Sequence, residues 1–262
     1  GTVELKTTAG SAANLRLLTG EYLQLAIAQG DLAQDAYDQT GIFADEEETR
    51  GFGAVAALYT EACQIVVRAD ADIQSVEDLQ GKTVSIGAEE SGSEQNALQI
   101  LAAYGLNDKL VDTVNLNYED AAAQLKAGKV DAIFITAGAP SPVLTELAGE
   151  CGIRLLNVDG AAAQRLTSAY SAYSAVTLPA GTYPGQDTDV QTVGVKAVLL
   201  ASDELPAKQV QKLTELLFSG REGMEEQLGI PLDAEQDAVE GVGIQFHAGA
   251  AAYYKAAGIT VD

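Results

Sequence analysis

Gly87-Ala88-Glu89-Glu90-Ser91-Gly92-Ser93 follows an apolar strand and leads into a helix, and two further stretches follow the same pattern. These are Thr7-Thr8-Ala9-Gly10-Ser11-Ala12 and Thr136-Ala137-Gly138-Ala139-Pro140-Ser141. Each turn ends at a helix start, where backbone N–H groups lack intrahelical partners and carry a positive partial charge. In an open α/β sheet, ligands bind where such turns converge at the carboxyl ends of strands. The three junctions therefore predict a binding site for a small anion or zwitterion.

Strands and helices alternate along nearly the whole chain, which predicts an α/β fold with mostly parallel sheets. We expect a strand at 3–9 before the first turn and two separate apolar strands at 54–59 and 62–69. A short helix closed by Gly81 leads into the next strand, and we place a domain crossing there.

The densest cluster of Pro and Gly, at 179–187, predicts a rigid turn, after which the pattern of the first region returns. We therefore expect one lobe made of 1–81 and 187–262, with residues 82–186 inserted as a second lobe. Two lobes joined by two crossings form a hinged clamp with a cleft between them.

The charge of the chain excludes some partners. Its 262 residues include 38 acidic and 15 basic side chains, a formal net charge of −23. Nucleic acids and anionic membrane surfaces would repel such a protein. The interpretation we favour is a solubility adaptation, such as life outside the cell or in salt. The sequence has no apolar run of membrane-spanning length, and because it opens within an expected strand we interpret it as a processed or truncated product.

The sequence is poor in residues for enzyme chemistry. Its single histidine, His247, precedes a helix of small residues and is expected to cap that helix or pack at its end, rather than to act in catalysis. Nucleophile-elbow, P-loop and zinc-ligand patterns are all missing from the sequence. Cys63 is expected to be a core residue and a disulfide with Cys151 is disfavoured, though left open. We predict no catalytic residues, no metal and no cofactor.

The turn at 89–96 is the strongest candidate for ligand contact. Ser91 and Glu94 have the spacing of a capping box, in which each side chain bonds to the backbone of the other. Gly92 would let a ligand approach the backbone, and the hydroxyl and N–H of Ser93 would hold a carboxylate oxygen. Glu94 nearby disfavours a dianion and suits a ligand that also carries an ammonium group.

Further candidates lie at other strand ends and turns. Thr136 ends a very apolar strand, and Gln29 ends another in the first lobe, where its amide would bond a polar group. Tyr59 and Tyr183 combine an apolar ring with a hydroxyl and would sandwich a small ligand in a closing cleft.

Pro179-Ala180-Gly181-Thr182-Tyr183-Pro184-Gly185-Gln186, together with Thr136-Ala137-Gly138-Ala139-Pro140, resembles the TAXI-type solute receptors of TRAP transporters. Weaker likenesses extend the resemblance over nearly the whole chain, at 10–18, 28–33, 78–87 and 91–93. The resemblance implies a two-lobed periplasmic-binding-protein fold of the second type, outside the cytoplasm. It also implies a monomeric receptor that delivers a glutamate- or glutamine-like solute to sodium-coupled membrane subunits. The ligand-binding positions so implied or predicted are Ser11, Gln29, Tyr59, Ser91, Gly92, Ser93, Thr136, Ala137, Gly138 and Tyr183.

One departure from that family pattern concerns the first lobe. Members of the family begin with a strand and a glycine-rich turn ahead of the strand at 3–9, and this sequence starts after that unit. The resemblance implies that the unit lies centrally in the lobe and lines the cleft, so the strand at 3–9 is expected to lose a neighbour. Two other hypotheses stay open at this point: a sensor or surface-interaction module with the same fold, and an enzyme acting on a small anion.

Overall fold

Two long antiparallel strands organise the molecule. The computed structural model describes residues 4–47 and 49–261. β2 (Phe52–Arg68) and β8 (Val190–Ser202) are the longest strands in this part of the chain and pair from Phe52↔Ser202 to Ala62↔Gly194. β2 is continuous, so the expectation of separate strands at 54–59 and 62–69 was wrong: the Tyr59-Thr60-Glu61 segment between them continues the pairing with β8.

The other strands attach to this pair in one mixed sheet. The order is β1-β8-β2-β5-β3-β4, with β6 also on β2 and β7 also on β8. The remaining strands are β1 (Leu25–Gln29), β3 (Thr83–Ser85), β4 (Asp112–Val114), β5 (Ala132–Ala137), β6 (Ile153–Leu156) and β7 (Ser174–Leu178).

Fewer of the strand pairs are parallel than the sequence predicts. Among the described strands, only β3 with β4 and β3 with β5 are parallel, and the other pairs are antiparallel. The physical reason is that β2 and β8 run through the centre in opposite directions, and β1, β5, β6 and β7 each join one of them antiparallel.

The helices cover both faces of the sheet and enclose the apolar core. They are α1 (Ser11–Thr19), α2 (Gly30–Asp38), α3 (Gly92–Ala103), α4 (Tyr118–Lys126), α5 (Pro142–Cys151), α6 (Gly160–Ala169), α7 (Ala207–Ser219), α8 (Arg221–Leu228) and α9 (Ala248–Ala256). Within the described ranges, none of them has the length and apolar character needed to cross a bilayer. The predicted cap of the last helix is confirmed, because His247 Nδ1 accepts a hydrogen bond from the Gly249 N–H.

The strand expected at 3–9 does not form over residues 4–9, and Val3 lies outside the described residues. A strand requires a neighbour to satisfy its backbone groups, and no described strand pairs with this segment. Thr8 instead bonds to Asn14 in α1, through its hydroxyl, over 2.7 Å. The first of the three predicted junctions therefore keeps its turn and helix but lacks its strand.

β2 and β8 diverge where the pairing between them ends. Beyond Ala62, β2 pairs with β5 and β6, whereas the preceding residues of β8 pair with β7. At Gly194 an added Cβ would lie 2.6 Å from the carbonyl oxygen of Glu61 and 2.9 Å from a methyl carbon of Thr60. Gly194 therefore allows the close approach of the two strands at the point where they diverge.

We predict that Gly194→Ala destabilises the protein by about 1 to 3 kcal/mol, because the new methyl group meets backbone rather than a movable side-chain tip. Denaturant unfolding followed by circular dichroism measures the change. The control is Gly223→Ala inside α8, where an added Cβ contacts nothing within 4 Å. Alanine there should raise stability by about 0.5 to 1 kcal/mol. Equal stability of the Gly194→Ala variant and the parent would contradict the prediction.

Candidate functional site

A cavity of about 370 Å³ lies where three helix N-termini converge. Ser11 begins α1, Ser91 precedes α3 and Asn117 precedes α4, and all three residues line the cavity. The N–H groups of these first turns give the cavity a positive partial charge, and its described lining has no cationic side chain. Its size is that of a small-molecule site.

The two sides of the cavity already touch at its rim. The N–H of Ala12 donates to the carbonyl of Glu90 over 3.2 Å, and Arg16 forms an ion pair with the Glu90 carboxylate at 2.6 Å. An added Cβ on Gly10 would lie 2.9 Å from the Cα of Ser91. The positive φ of 148° at Gly10 and this close approach both require glycine.

The Ser91 cap is confirmed, with one change in its partner. Ser91 Oγ accepts from the Glu94 N–H at 3.1 Å, as predicted for a capping box. The carboxylate of Glu94 accepts instead from the N–H of Glu90, one residue before the expected partner. Both bonds fix the turn that presents Gly92 to the cavity.

A closed ring of hydrogen bonds occupies the side chain of Ser93. Its Oγ accepts from the Thr136 N–H at 2.9 Å and donates to the Tyr118 hydroxyl at 2.6 Å, and Tyr118 donates to the Thr136 carbonyl. With its donor used in this ring, the Ser93 hydroxyl has no hydrogen to give a ligand in this state, and contact of Ser93 with a ligand stays a prediction. The Thr136 hydroxyl likewise points to Cys63 Sγ, at 3.6 Å. Ser93 and Thr136 line the cavity and build its floor.

Glu61 and Glu119 are the acidic residues that line the cavity, and Glu61 is the one on the central strand. It lies on β2, one residue before the strands diverge, and its Oε2 accepts from Gln29 Nε2 at 3.0 Å. Burial raises the pKa of Glu61 to about 7; the Gln29 hydrogen bond lowers it and the charge of Asp31 raises it. Burial likewise raises the pKa of Asp31, which accepts from Asn96, to about 6.

Gln29 is held tightly against the first turn of α3. Its backbone N–H donates to Ser11 Oγ at 3.1 Å, and its side chain is 3% exposed. A Cβ at Gly92 would lie 2.1 Å from Gln29 Oε1, so only glycine at position 92 leaves room for this amide. Among the described residues, Oε1 has no hydrogen-bond partner.

A model of the NMT1-like family matches residues 2–258 of this sequence. The chain belongs to the NMT1-like family.

Solved structures show the fold of this NMT1-like chain. An ancestral arginine-binding protein bound to arginine aligns with a TM-score of 0.51 at 16% identity, covering 83% of this chain and 74% of that one. XAC2383 from Xanthomonas citri bound to ATP gives 0.51 at 11%, covering 81% and 70%. The periplasmic aliphatic sulphonate binding protein SsuA from Escherichia coli gives 0.49 at 18%, covering 86% and 67%. The two alignments with a TM-score of 0.51 confirm the predicted periplasmic-binding-protein-like α/β fold.

The NMT1-like structure brings together six of the ten predicted ligand positions. The cavity is lined by Ser11, Gln29, Ser91, Gly92, Ser93 and Thr136. Tyr59 and Gly138 line a different cavity, beside Ile230 and Asp233.

Tyr183 and Ala137 lie outside the cavity as well. Tyr183 is 1% exposed and packs in the core; its hydroxyl donates to Gln64 and accepts from the Ser141 N–H. Ala137 pairs with Ala62 in the sheet, and its carbonyl accepts from Gln64. Neither tyrosine lines the cavity at α1, α3 and α4, and a tyrosine sandwich around the ligand stays a prediction.

Sequence reasoning missed Glu61 and Tyr118. Glu61 is the one charged residue between Phe52 and Val67, inside an otherwise apolar strand. Burying a carboxylate there is costly, so its presence in that run is itself a functional signal. Tyr118 follows a helix-capping Asn117, and nothing in the sequence indicates that its ring reaches Ser93.

We predict that Glu61→Gln stabilises the ligand-free protein at neutral and alkaline pH. Between pH 4.5, the ordinary value, and about 7, the folded protein keeps a proton on Glu61 that the unfolded chain has released. The free energy of unfolding therefore falls as the pH rises through this window. In the glutamine variant, this contribution to the fall is absent. Above this window, the variant should be more stable by about 3 kcal/mol.

Thermal and denaturant unfolding across this pH range measure the difference. Asp31 also makes the free energy of unfolding depend on pH, up to about pH 6, and it does so in both proteins. The matched control is Glu89→Gln, which removes the same charge from an exposed residue just outside the cavity. A Glu61→Gln variant with the same pH profile as the parent would refute the assignment.

Proposed function

We propose that this chain is the extracytoplasmic solute receptor of a transport system, and that it closes around a small carboxylate or amino acid without chemistry. The observation that carries the proposal is the cavity at the convergence of α1, α3 and α4. Helix N-termini bind carboxylates through free N–H groups. The buried amide of Gln29 and the acid Glu61 add polar groups that fix the orientation of a ligand.

The division into lobes is part of this proposal. The predicted division puts 1–81 with 187–262 in one lobe and 82–186 in the other; a bending point within β2 and β8 would make 63–81 and 187–193 move with the second lobe. The pairing supports a bending point near Ala62 and Gly194, since there each strand changes its partners. Motion about that point would open the Gly10–Ser91 contact and admit the solute.

The transporter type is a finer proposal. The likeness of the 179–186 turn to TAXI-type receptors supports a TRAP transporter, with sodium-coupled membrane subunits as partners and a glutamate- or glutamine-like solute. In the described structure this turn is closed by Gln186, whose carbonyl and side chain bond to Gly181 and to Pro179. A monomer suffices for this role, because the whole cavity comes from one chain.

A thermal-shift screen of the standard amino acids and small dicarboxylates tests the proposal. A solute that binds the folded protein raises Tm by linkage, and the rise grows with the logarithm of its concentration divided by its Kd. We expect at least one compound of these classes to raise Tm. No rise with any of them, in a protein with a cooperative transition, would contradict the proposal.

A variant in the cavity separates specific binding from general stabilisation. Gly92→Ala places a methyl group where the Gln29 amide lies, so it should weaken the binding of the solute at least about tenfold while the helix still forms. Gly149→Ala in α5, where a Cβ meets nothing within 4 Å, is the matched control. Equal affinity in the two variants would place the binding site elsewhere.

A further inference from the structure

The wall of the cavity contains two hydrogen-bond acceptors that are open to a donor from a ligand, the Glu61 carboxylate and Gln29 Oε1. Gln29 Nε2 donates to the Glu61 carboxylate at 3.0 Å, which fixes the orientation of the amide. While Glu61 is ionised, the opposite orientation would set the amide oxygen against a carboxylate. In the observed one, Oε1 is a buried acceptor with no partner among the described residues. An unpaired buried acceptor is costly, so the site is built for a donor that arrives with the ligand.

The side chains of the cavity carry negative charge. Glu61 and Glu119 line it, and Lys, Arg and His are missing from its described lining. Arg16, the arginine of α1, is already paired with Glu46 and Glu90. A ligand with net negative charge would meet Glu61 with only backbone N–H groups to offset the repulsion.

We infer that Glu61 and Gln29 Oε1 form the subsite for a protonated nitrogen, an ammonium or guanidinium group, so that the receptor selects solutes that carry such a group over dicarboxylates that lack one. The inference rests on the proposed solute-binding function and names the class of its ligand. A charged N–H donor satisfies both acceptors at once, and charge-assisted bonds of this kind are the strong ones. The N-termini of α1, α3 and α4 then hold the carboxylate of the same molecule.

The position of Glu61 links this subsite to the lobes. It stands on β2 beside Gly194, where the two central strands diverge, and Gln29 contacts Gly92 at the start of α3. A cation between Glu61, Gln29 and the α3 turn would therefore contact elements from both proposed lobes and favour the closed form.

Isothermal titration of the purified protein with a charge series tests the inference. The probes are L-arginine, L-lysine, L-glutamine, L-glutamate, glutarate and the diamine cadaverine, together with any further compound that raises Tm in the screen. We expect every binder to carry a protonated nitrogen and glutarate to be the weakest of the series. Glu61→Gln should raise the Kd of the best binder at least about tenfold, whereas Glu89→Gln should leave it unchanged.

The pH dependence gives a second readout. The groups that face Glu61 are Gln29 of β1, Asp31 of α2, Tyr118 of α4, and Tyr59 and Cys63 on its own strand. Because the pKa of Glu61 is about 7, affinity for a cationic solute should rise about tenfold from pH 6 to pH 8. The Glu61→Gln variant should lack this rise.

The outcomes separate the inference from the proposed function. If glutarate binds as tightly as the best amine, or if Glu61→Gln leaves the affinity unchanged, the cationic subsite is refuted while the receptor function stands. If no compound binds the folded wild-type protein, both are refuted. If the affinity of the best binder depends on Glu61 but shows no rise with pH, Glu61 is ionised throughout this range: that result supports the cationic subsite and refutes only the raised pKa.

Discussion

The antiparallel pairing of β2 with β8 is the constraint on which the rest of the structure depends. From Phe52↔Ser202 to Ala62↔Gly194 the two strands form the centre of the sheet, and β1, β5, β6 and β7 attach to them. Their divergence beyond Gly194 separates the strands into two groups, and the cavity lies next to that point. Because Glu61 immediately precedes the divergence, the same pairing that organises the fold also fixes the acid in the cavity.

Stability and binding make opposite demands on Glu61. A partly buried carboxylate in an apolar strand, close to Asp31, destabilises the empty protein in the pH range where it is charged. A hydrophobic or amide side chain at this position would remove that cost. Strained or uncompensated groups of this kind concentrate at sites that complete their interactions with a ligand. Gln29 Oε1, buried and without a donor, is a second such group on the same wall.

Local signals in the sequence predicted local structure well. The Ser91 cap and the His247 cap follow from spacing alone, since a hydroxyl or imidazole before a helix satisfies a free N–H group. The α/β fold follows from the alternation of strands and helices. The direction of strand pairing was not predictable in the same way, because adjacent positions along the chain say little about which strand runs through the centre.

The candidate site was predicted only in part, for a physical reason. Turn residues such as Ser11 and Gly92 are recognisable because helix starts have a sequence signature. Whether a polar side chain faces the ligand depends on what else its donor meets, and Ser93, Thr136 and Tyr183 are all used within the protein. These partners are distant in sequence. Glu61, in contrast, could have been found as a lone charge in an apolar strand.

The most direct test of this account is a carbon-detected NMR titration of the Glu61 side-chain carboxyl group, in the free protein and with a bound amine or amino acid. The account predicts a pKa near 7 in the free protein. It also predicts a fall toward the ordinary value when the cationic group of the ligand binds beside the carboxylate. A pKa near 4.5 in the free protein, or one that does not fall when an amine binds, would contradict the account.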